Sequence, residues 1–357
     1  MTAAVTTPLR HDAGVGRNVT KAQQEKSGIA YRKTFSQAQI VFSQTMQTAC
    51  DDVDKALQGF FRRVKAGDKP GYPRFKGRNR FNSFAFKQFG VGARLDGRRL
   101  KLYGIGRVAV RWHRPLEGKV KTVRVVRKAG KWYACFACEA PESEPLLAKG
   151  KAVGIAVGIS ALITTSDGEK VADPNYYRTA QAELRRRQRK LSRCKRGSNN
   201  RRKALRAVQR QQEHVANQRK DFLHKLSAEL VRQYDALALE DLRVRNMVRN
   251  TRLSKRILDS GWSAFRDYLT YKAESAGRAV AFVDPAYTSK CRSACGTVFQ
   301  DFSLSTRWVT CACGLSLDRD HNAALNILKR TGWDTPVSDN VGGCAMRPAE
   351  ATRLSPP

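Results

Sequence analysis

The hydrophobic period changes several times along the chain, and each change predicts an element. Residues 1 to about 30 are polar with no apolar period, and are expected to be poorly ordered. Over residues 36–64, Ile40, Phe42, Met46, Ala49, Val53, Ala56 and Phe60 fall at near-helical spacing and predict an amphipathic helix. Residues 65–76, KAGDKPGYPRFK, form a loop, because Pro and Gly oppose helix there. Residues 81–141 then hold the runs FNSFAFKQF, RRLKLYG, RVAVRWH, KVKTVRVVRK and KWYACFACEA, with a turn at Ala129-Gly130, and predict a small β-barrel.

A second region opens at 151–168, KAVGIAVGISALITTSDG, two apolar β-rich runs closed by Asp167-Gly168 and therefore a hairpin. A short third strand is expected at 171–173. Residues 175–234 read as two long helices broken at 197–200, the only turn cluster in that span; Phe222, Leu223, Leu226, Leu230 and Val231 supply the stripe that docks the second. A strand at 236–240 follows, then a helix at 257–277 with Trp262, Phe265, Leu269 and Ala273 on one face, and a strand at 279–283. This order predicts an α/β sheet that gathers Glu240 and the acids of Asp318-Arg319-Asp320 at one edge. Gathered carboxylates suit Mg²⁺, which prefers oxygen ligands. The Gly-, Pro-, Ser- and Thr-rich tail after Arg330 is expected to be disordered.

Charge narrows the function. The 357 residues carry 67 Lys and Arg against 31 Asp and Glu, a net formal charge of +36 that calls for a polyanionic partner. No apolar run approaches the roughly 18 residues of a membrane span and no signal-peptide core is present, so the chain is expected in the cytoplasm. In the 65–76 loop, Arg74 and Lys76 alternate with Tyr and Phe, a mixture that meets phosphates with cations and bases with aromatic faces. The first long helix and the start of the second carry RRRQRK, RCKRG and RRKALR with almost no acids. Such helices repel themselves unless phosphates neutralise them, which makes Arg185, Arg186, Arg187, Lys190, Arg201 and Arg202 candidate nucleic-acid contacts. Arg243, Arg245 and Arg249 add cations beside the acidic edge.

Nine cysteines, an odd number, do not form a secreted disulfide framework. Cys135 and Cys138 lie three apart on a predicted strand, where their side chains point to opposite faces, and read as small apolar strand residues. Cys291-x₃-Cys295-Gly296 and Cys311-x-Cys313-Gly314 are close to the two C-x-x-C-G knuckles of a zinc ribbon, but each has the wrong spacing. Zinc on these four thiolates and a ribbon-like loop that has lost its metal are both open readings.

The pieces GIAVGI, LALEDL, Asn246-Met247-x-Arg249-Asn250 and DRDHNAALNI stand in the order and at about the spacing of the split RuvC-like nuclease domain of TnpB. That family comprises the RNA-guided DNA endonucleases of bacterial insertion sequences, related to type V CRISPR effectors. The resemblance runs from about Asp51 to the C-terminus and no single motif carries it. It implies an α+β multidomain chain: a disordered start at 1–35, a shortened helical recognition lobe at 36–66, a wedge β-barrel at 67–148, an RNase H-like α/β RuvC domain at 149–285 and 318–331, a zinc-ribbon-like insertion at 286–317, and a disordered tail at 332–357. The N-terminus looks shortened or diverged against the family. Aligned on Cys295 and Cys313, the family's other two zinc positions fall on Arg292 and Thr310, with Cys291 and Cys311 each displaced by one residue.

The resemblance further implies a site of two Mg²⁺ ions, with Glu240 and Asp320 as ligands and the first catalytic Asp of G-I/V-D-x-G falling on Ala156, which has no oxygen to offer. The expected partners are a guide RNA and target double-stranded DNA with a short adjacent motif, bound by a monomer. Cleavage is expected to be lost as the chain is written. Two rivals stay open: a natural RNA-guided DNA-binding repressor, and an RNase H-fold transposase that acts without RNA.

Overall fold

Two units, Met1–Pro141 and Glu142–Pro357, divide the computed structural model, in which residues 20–77, 80–139, 144–299, 303, 306–314 and 316–333 are described. The expected disorder over 1–35 fails from Lys21 onward, where α1 (Lys21–Thr34) forms. Its start is a reciprocal cap: Gln23 N donates to the Thr20 hydroxyl, and Thr20 N donates to the Gln23 side chain at 2.8 Å. Residues 1–19, and the tail from 334 on, lie outside the described residues.

The helix predicted from residue 36 is two, α2 (Ser36–Gln39) and α3 (Ser43–Lys65). Phe42 leaves the helical period to pack against Phe86 and Tyr103, with ring centroids 5.9 and 5.2 Å away. Gly92 makes the room, since a Cβ there would lie 2.5 Å from the Phe42 ring. Ile40, Val53 and Ala56 of the predicted stripe are exposed, while Met46 and Ala49 are buried.

The strands of this unit are β1 (Ser83–Phe86), β2 (Ala93–Asp96), β3 (Arg99–Leu102), β4 (Gly106–Ala109), β5 (Lys119–Lys128) and β6 (Lys131–Glu139). The expected wedge barrel does not close among the described residues. Two three-stranded sheets, ordered β1-β5-β6 and β2-β3-β4, share one core of Phe86, Ala93, Leu100, Leu102, Val123 and Val125. The second sheet is a meander of four-residue strands, too short to wrap round and meet the first. The β5–β6 turn has positive φ at both Ala129 (46°) and Gly130 (82°), as a two-residue hairpin requires. Cys135 is exposed rather than packed as a small apolar residue, and Cys138 is half-buried.

The second unit is built on a five-stranded mixed sheet ordered β11-β10-β7-β8-β9. Its strands are β7 (Ala152–Val157), β8 (Ile163–Thr165), β9 (Lys170–Val171), β10 (Ala236–Glu240) and β11 (Ala279–Val283); β7, β10 and β11 run parallel and the others antiparallel. The expected third strand ends early because Asp173 turns to accept from Asn175 N at 2.9 Å and from the Ser260 hydroxyl at 2.5 Å. The basic helices are α4 (Tyr176–Arg193) and α5 (Asn199–Gln233). After β10 come α6 (Val244–Met247), α7 (Ser254–Ser260) and α8 (Trp262–Ser275). The last two were expected as one helix; Gly261, at φ 70°, separates them. Past β11, β12 (Trp308–Thr310) and β13 (Ser316–Asp318) pair as a ribbon that feeds α9 (Arg319–Lys329).

Alternation along β7 and β10 gives the sheet two different faces. Val153, Ile155, Leu237 and Leu239 pack against α5 and α8 through Leu223, Leu226, Leu230, Trp262, Phe265 and Leu269. Each such large side chain contributes about 1.5–3 kcal/mol on burial. The opposite residues, Ala156 and Ala238, pack with Val283 against Ala323, Ala324 and Ile327 of α9.

A candidate acidic site, a basic helical arm and a thiol cluster

Position 156 lies on the α9 face of β7, between two glycines of the same face. A Cβ on Gly154 would meet the Ala324 carbonyl, and one on Gly158 would lie 3.7 Å from Asp320 Oδ2. The register Leu239↔Ile155, carried one residue further along two parallel strands, brings Glu240 beside Ala156. The sheet and α9 therefore converge three positions, 156, 240 and 320, of which the first carries a methyl group.

Glu240 is half-buried, and burial pushes its carboxyl above the ordinary value. The nearby Asp320 charge adds to this, while the Thr288 hydrogen bond and the Arg330 charge oppose it. The Thr288 hydroxyl donates to Glu240 Oε1 at 2.5 Å. Its neighbour Asp241 turns away, as strand alternation predicts, and pairs with Arg266 of α8.

Asp320 stands in the first turn of α9, yet it does not cap the helix. Asp318 does so, its carboxylate accepting from Asp320 N at 3.0 Å and His321 N at 3.3 Å. The Asp320 carboxylate instead accepts from the Ser160 hydroxyl at 2.9 Å and from Arg319 at 3.1 Å. Two carboxylates, each bonded to a protein donor, and one methyl group fall short of the oxygen set that two Mg²⁺ ions require.

On the basic arm, α4 and α5 use part of their charge internally. Arg187 pairs with Glu183 at 2.5 Å and donates to Ala207 O at 3.1 Å; Arg201 donates to Leu191 O at 3.0 Å and Cys194 O at 3.3 Å. These two clasp the hairpin. Arg185, Arg186, Lys190 and Arg202 are exposed, Arg186 by 80 % despite its pairing with Glu183. Arg185, Gln188, Arg189, Ser192 and Arg193 follow one another along a single face of α4. Arg189 and Arg193 were not singled out by the sequence, although both stand in the same acid-poor runs.

Arg243, Arg245 and Arg249 are exposed in and around α6. In the other unit, Arg74 and Lys76 are exposed in an irregular loop with Tyr72 and Phe75, and the Tyr72 ring meets Phe60 edge-on at 5.3 Å.

Of the four ribbon cysteines, three converge. The thiols of Cys295, Cys311 and Cys313 lie within 4.8 Å of one another, with Cys295 and Cys311 3.8 Å apart. Three convergent sulfurs suit zinc, which takes thiolates readily. Cys291 stands outside the group and donates to Gly296 O at 3.1 Å. Arg292, at a ligand position implied by the family resemblance, donates instead to Cys311 Sγ at 3.0 Å and stacks over Phe299. Hydrogen bonds, first from Thr297 and then from the neighbouring thiols, lower the Cys295 thiol to about 6.

Among the described residues no helix is long and apolar enough to cross a membrane. Two family models match the chain: OrfB_IS605, described as a probable transposase, over residues 135–251, and the Cas12f1-like TNB domain over residues 262–327. A protein of Streptomyces pristinaespiralis named as an RNA-guided DNA endonuclease is 37 % identical over 321 residues, covering 88 % of this chain and 78 % of its own. InsQ of Escherichia coli K12, named likewise, is 35 % identical over 302 residues, covering 80 % and 74 %. The CRISPR-associated endodeoxyribonuclease Cas12f1 of Sulfoacidibacillus thermotolerans is 26 % identical over 217 residues, covering 56 % and 50 %.

Proposed function

The chain belongs to the TnpB family of RNA-guided DNA endonucleases, and from that premise we propose that it binds a guide RNA and guide-matched double-stranded DNA without cutting. The observation that carries this reading is the convergence of position 156 with Glu240 and Asp320, where a methyl group stands in place of a third carboxylate. In this reading the second unit is an RNase H-like RuvC domain whose complete acidic set would hold two Mg²⁺ ions to supply water activation and leaving-oxygen stabilisation, a set left incomplete by the methyl group at position 156. Glu240 and Asp320 supply oxygens from β10 and α9. Ser160 and Arg319 orient the Asp320 carboxylate.

The exposed cations of α4 and α5 fit a guide-RNA surface, and Arg243, Arg245 and Arg249 fit DNA near the acidic edge. Arg74 and Lys76, with Tyr72 and Phe75, offer the first unit a nucleic-acid surface. Base pairing supplies sequence specificity, while the protein reads only a short motif beside the target. Zinc on Cys295, Cys311 and Cys313 would stabilise the ribbon; Cys295→Ser should then abolish zinc in the purified protein, and full retention would exclude the cluster as its site.

The test is Ala156→Asp. The full chain carrying it, loaded with guide RNA, should cut guide-matched DNA only with Mg²⁺, and adding Glu240→Gln or Asp320→Ala should remove the activity. A variant that loads RNA and binds target yet never cuts overturns the nuclease reading and favours a DNA-binding repressor. Cleavage without guide RNA overturns the guided reading.

A further inference from the structure

Between β11 and the thiol cluster, a loop is fastened to α9 and also to Glu240. Thr288, 3 % exposed, donates its hydroxyl to Glu240 Oε1 at 2.5 Å, with Pro285 O a second acceptor at 3.1 Å. The Thr288 carbonyl accepts from Asn326 Nδ2 at 2.8 Å, and the same amide reaches Cys291 O at 2.6 Å. One turn earlier on α9, Asn322 donates to Cys291 O at 2.7 Å and accepts from Ser293 N at 2.8 Å. Lys329 donates to Ser293 O at 2.5 Å.

Asn322 and Asn326 are both buried. Burying two amides on a helix otherwise packed through Ala323, Ala324 and Ile327 is unfavourable unless they are paired, and their pairs all lie in this loop. The consequence is geometric. Glu240 arrives on β10 and Asp320 on α9, and the loop ties the two elements together, with Thr288 as the residue that touches a carboxylate.

We propose that Thr288, braced by Asn326, is a positioning residue of the cation site. It holds one oxygen of Glu240, leaves the other for a divalent cation, and fixes the carboxylate relative to Asp320. This rests on the reading of Glu240 and Asp320 as cation ligands. Groups that hydrogen-bond a ligating carboxylate set its orientation, and losing one typically costs about 10- to 100-fold in metal affinity.

The test uses the full-length Ala156→Asp protein and Mn²⁺ as the probe, with free Mn²⁺ read by electron paramagnetic resonance and folding by thermal melting. Thr288→Val, which keeps the shape and removes the hydroxyl, should weaken Mn²⁺ binding by about tenfold or more, with some fall in melting temperature because the Glu240 oxygen loses its donor. Thr288→Ser, which keeps the hydroxyl, should recover most of the affinity. Unchanged Mn²⁺ affinity in Thr288→Val overturns the proposal. So does an equal loss in Val and Ser variants that follows a lowered melting temperature, since that marks a packing role only. A parent that binds Mn²⁺ no better than its Glu240→Gln derivative overturns the cation site itself, and the role of Thr288 with it.

Discussion

Gly154 of β7 and Ala324 of α9 are in contact so close that a Cβ on the glycine would lie 2.0 Å from the alanine carbonyl oxygen. The same Cβ would meet Leu328 N at 2.8 Å and its Cβ at 2.9 Å. Helix α9, which carries Asp320, thus rests directly on the strand that carries position 156.

Gly154→Ala should therefore destabilise the second unit by about 1–3 kcal/mol, the usual cost of overpacking, because the obstacles are backbone and cannot rotate away. Urea denaturation measures it. In the Ala156→Asp background the same change should weaken Mn²⁺ binding, since moving α9 outward separates Asp320 from Glu240. A variant as stable as its parent would mean that α9 does not pack this closely in solution.

Ala156→Asp should also make stability depend on Mg²⁺. Position 156 is 5 % exposed and packs among Ala238, Ala323 and Ala324, so an unpaired carboxylate there is desolvated and faces two other acids. Its melting temperature should fall below the parent's in EDTA and rise with Mg²⁺, by the equivalent of about 2.7 kcal/mol at a hundredfold excess over the dissociation constant. The parent, lacking the third carboxylate, should respond far less. Equal responses in the two proteins would separate position 156 from the cation.

Replacing Arg185, Arg186 and Lys190 together with Ala should lower guide-RNA affinity and flatten its salt dependence by about 0.7–0.9 log units of slope per lost phosphate contact. Arg187→Ala should act differently. Its guanidinium bonds Glu183 and Ala207 O within the hairpin, so its loss should lower the melting temperature more than the salt slope. A triple variant with an unchanged slope would remove RNA from this arm.

Much of this arrangement was legible in the sequence, because the signals were local. The apolar run at 236–240 ends abruptly in Glu240-Asp241, the run at 152–157 is punctuated by Gly158, and α4 carries a single acid, Glu183, among its many cations. What stayed hidden depends on partners distant along the chain. Glu183 four residues before Arg187 is visible in the sequence, but the carbonyl acceptors that make Arg187 and Arg201 a clasp lie across the hairpin or at its turn. Asp318 and Asp320 are two residues apart, and only the geometry shows that the first caps α9 and the second is released from that task. Thr288 is an ordinary loop threonine until β10 is placed beside it. Helix α1 was missed because its capping box stands in a polar stretch without an apolar period.

Acid should weaken the second unit through Asp235, which joins β10 to the segment before β7. Burial pushes its carboxyl up, but the N–H groups of Lys149, Gly150 and Lys151, followed by the Arg278 charge, more than offset this and hold it below the usual value. A carboxyl depressed in the folded state contributes stability above its unfolded value of about 3.9. That contribution is lost as pH falls through the lower folded value. Asp235→Asn leaves the Arg278 side chain, 3 % exposed, without its ion-pair partner, a loss of about 3–5 kcal/mol where both groups are fully buried and less here, where Asp235 is partly exposed and Arg278 still donates to Leu147 O. In urea titrations the gap between parent and variant should narrow below pH 4, and a gap constant with pH would remove Asp235 from the acid response.

Asp259 should govern whether the basic arm is held at its root. The residue before α4, Asn175, is left-handed (φ 52°) and provides no side-chain cap, so the first N–H groups of the helix need an acceptor from elsewhere. Asp259, buried at the end of α7, supplies it. Its carboxylate accepts from Tyr177 N at 2.9 Å and Arg178 N at 3.3 Å, and pairs with Arg219 of α5 at 2.6 Å. One carboxylate thus fastens both basic helices to the body of the unit. Asp259→Ala removes the cap, worth about 1 kcal/mol, and leaves the Arg219 charge with poor compensation, a loss of about 3–5 kcal/mol where both groups are fully buried and less for the partly exposed Arg219. Hydrogen exchange should quicken first at the amides of residues 177–179 and then across α4. Guide-RNA affinity should fall even though no exposed cation has been removed, because the arm must then be ordered at the moment of binding. Exchange that quickens uniformly over the whole unit would instead mark Asp259 as a general stabilising residue with no particular hold on the arm.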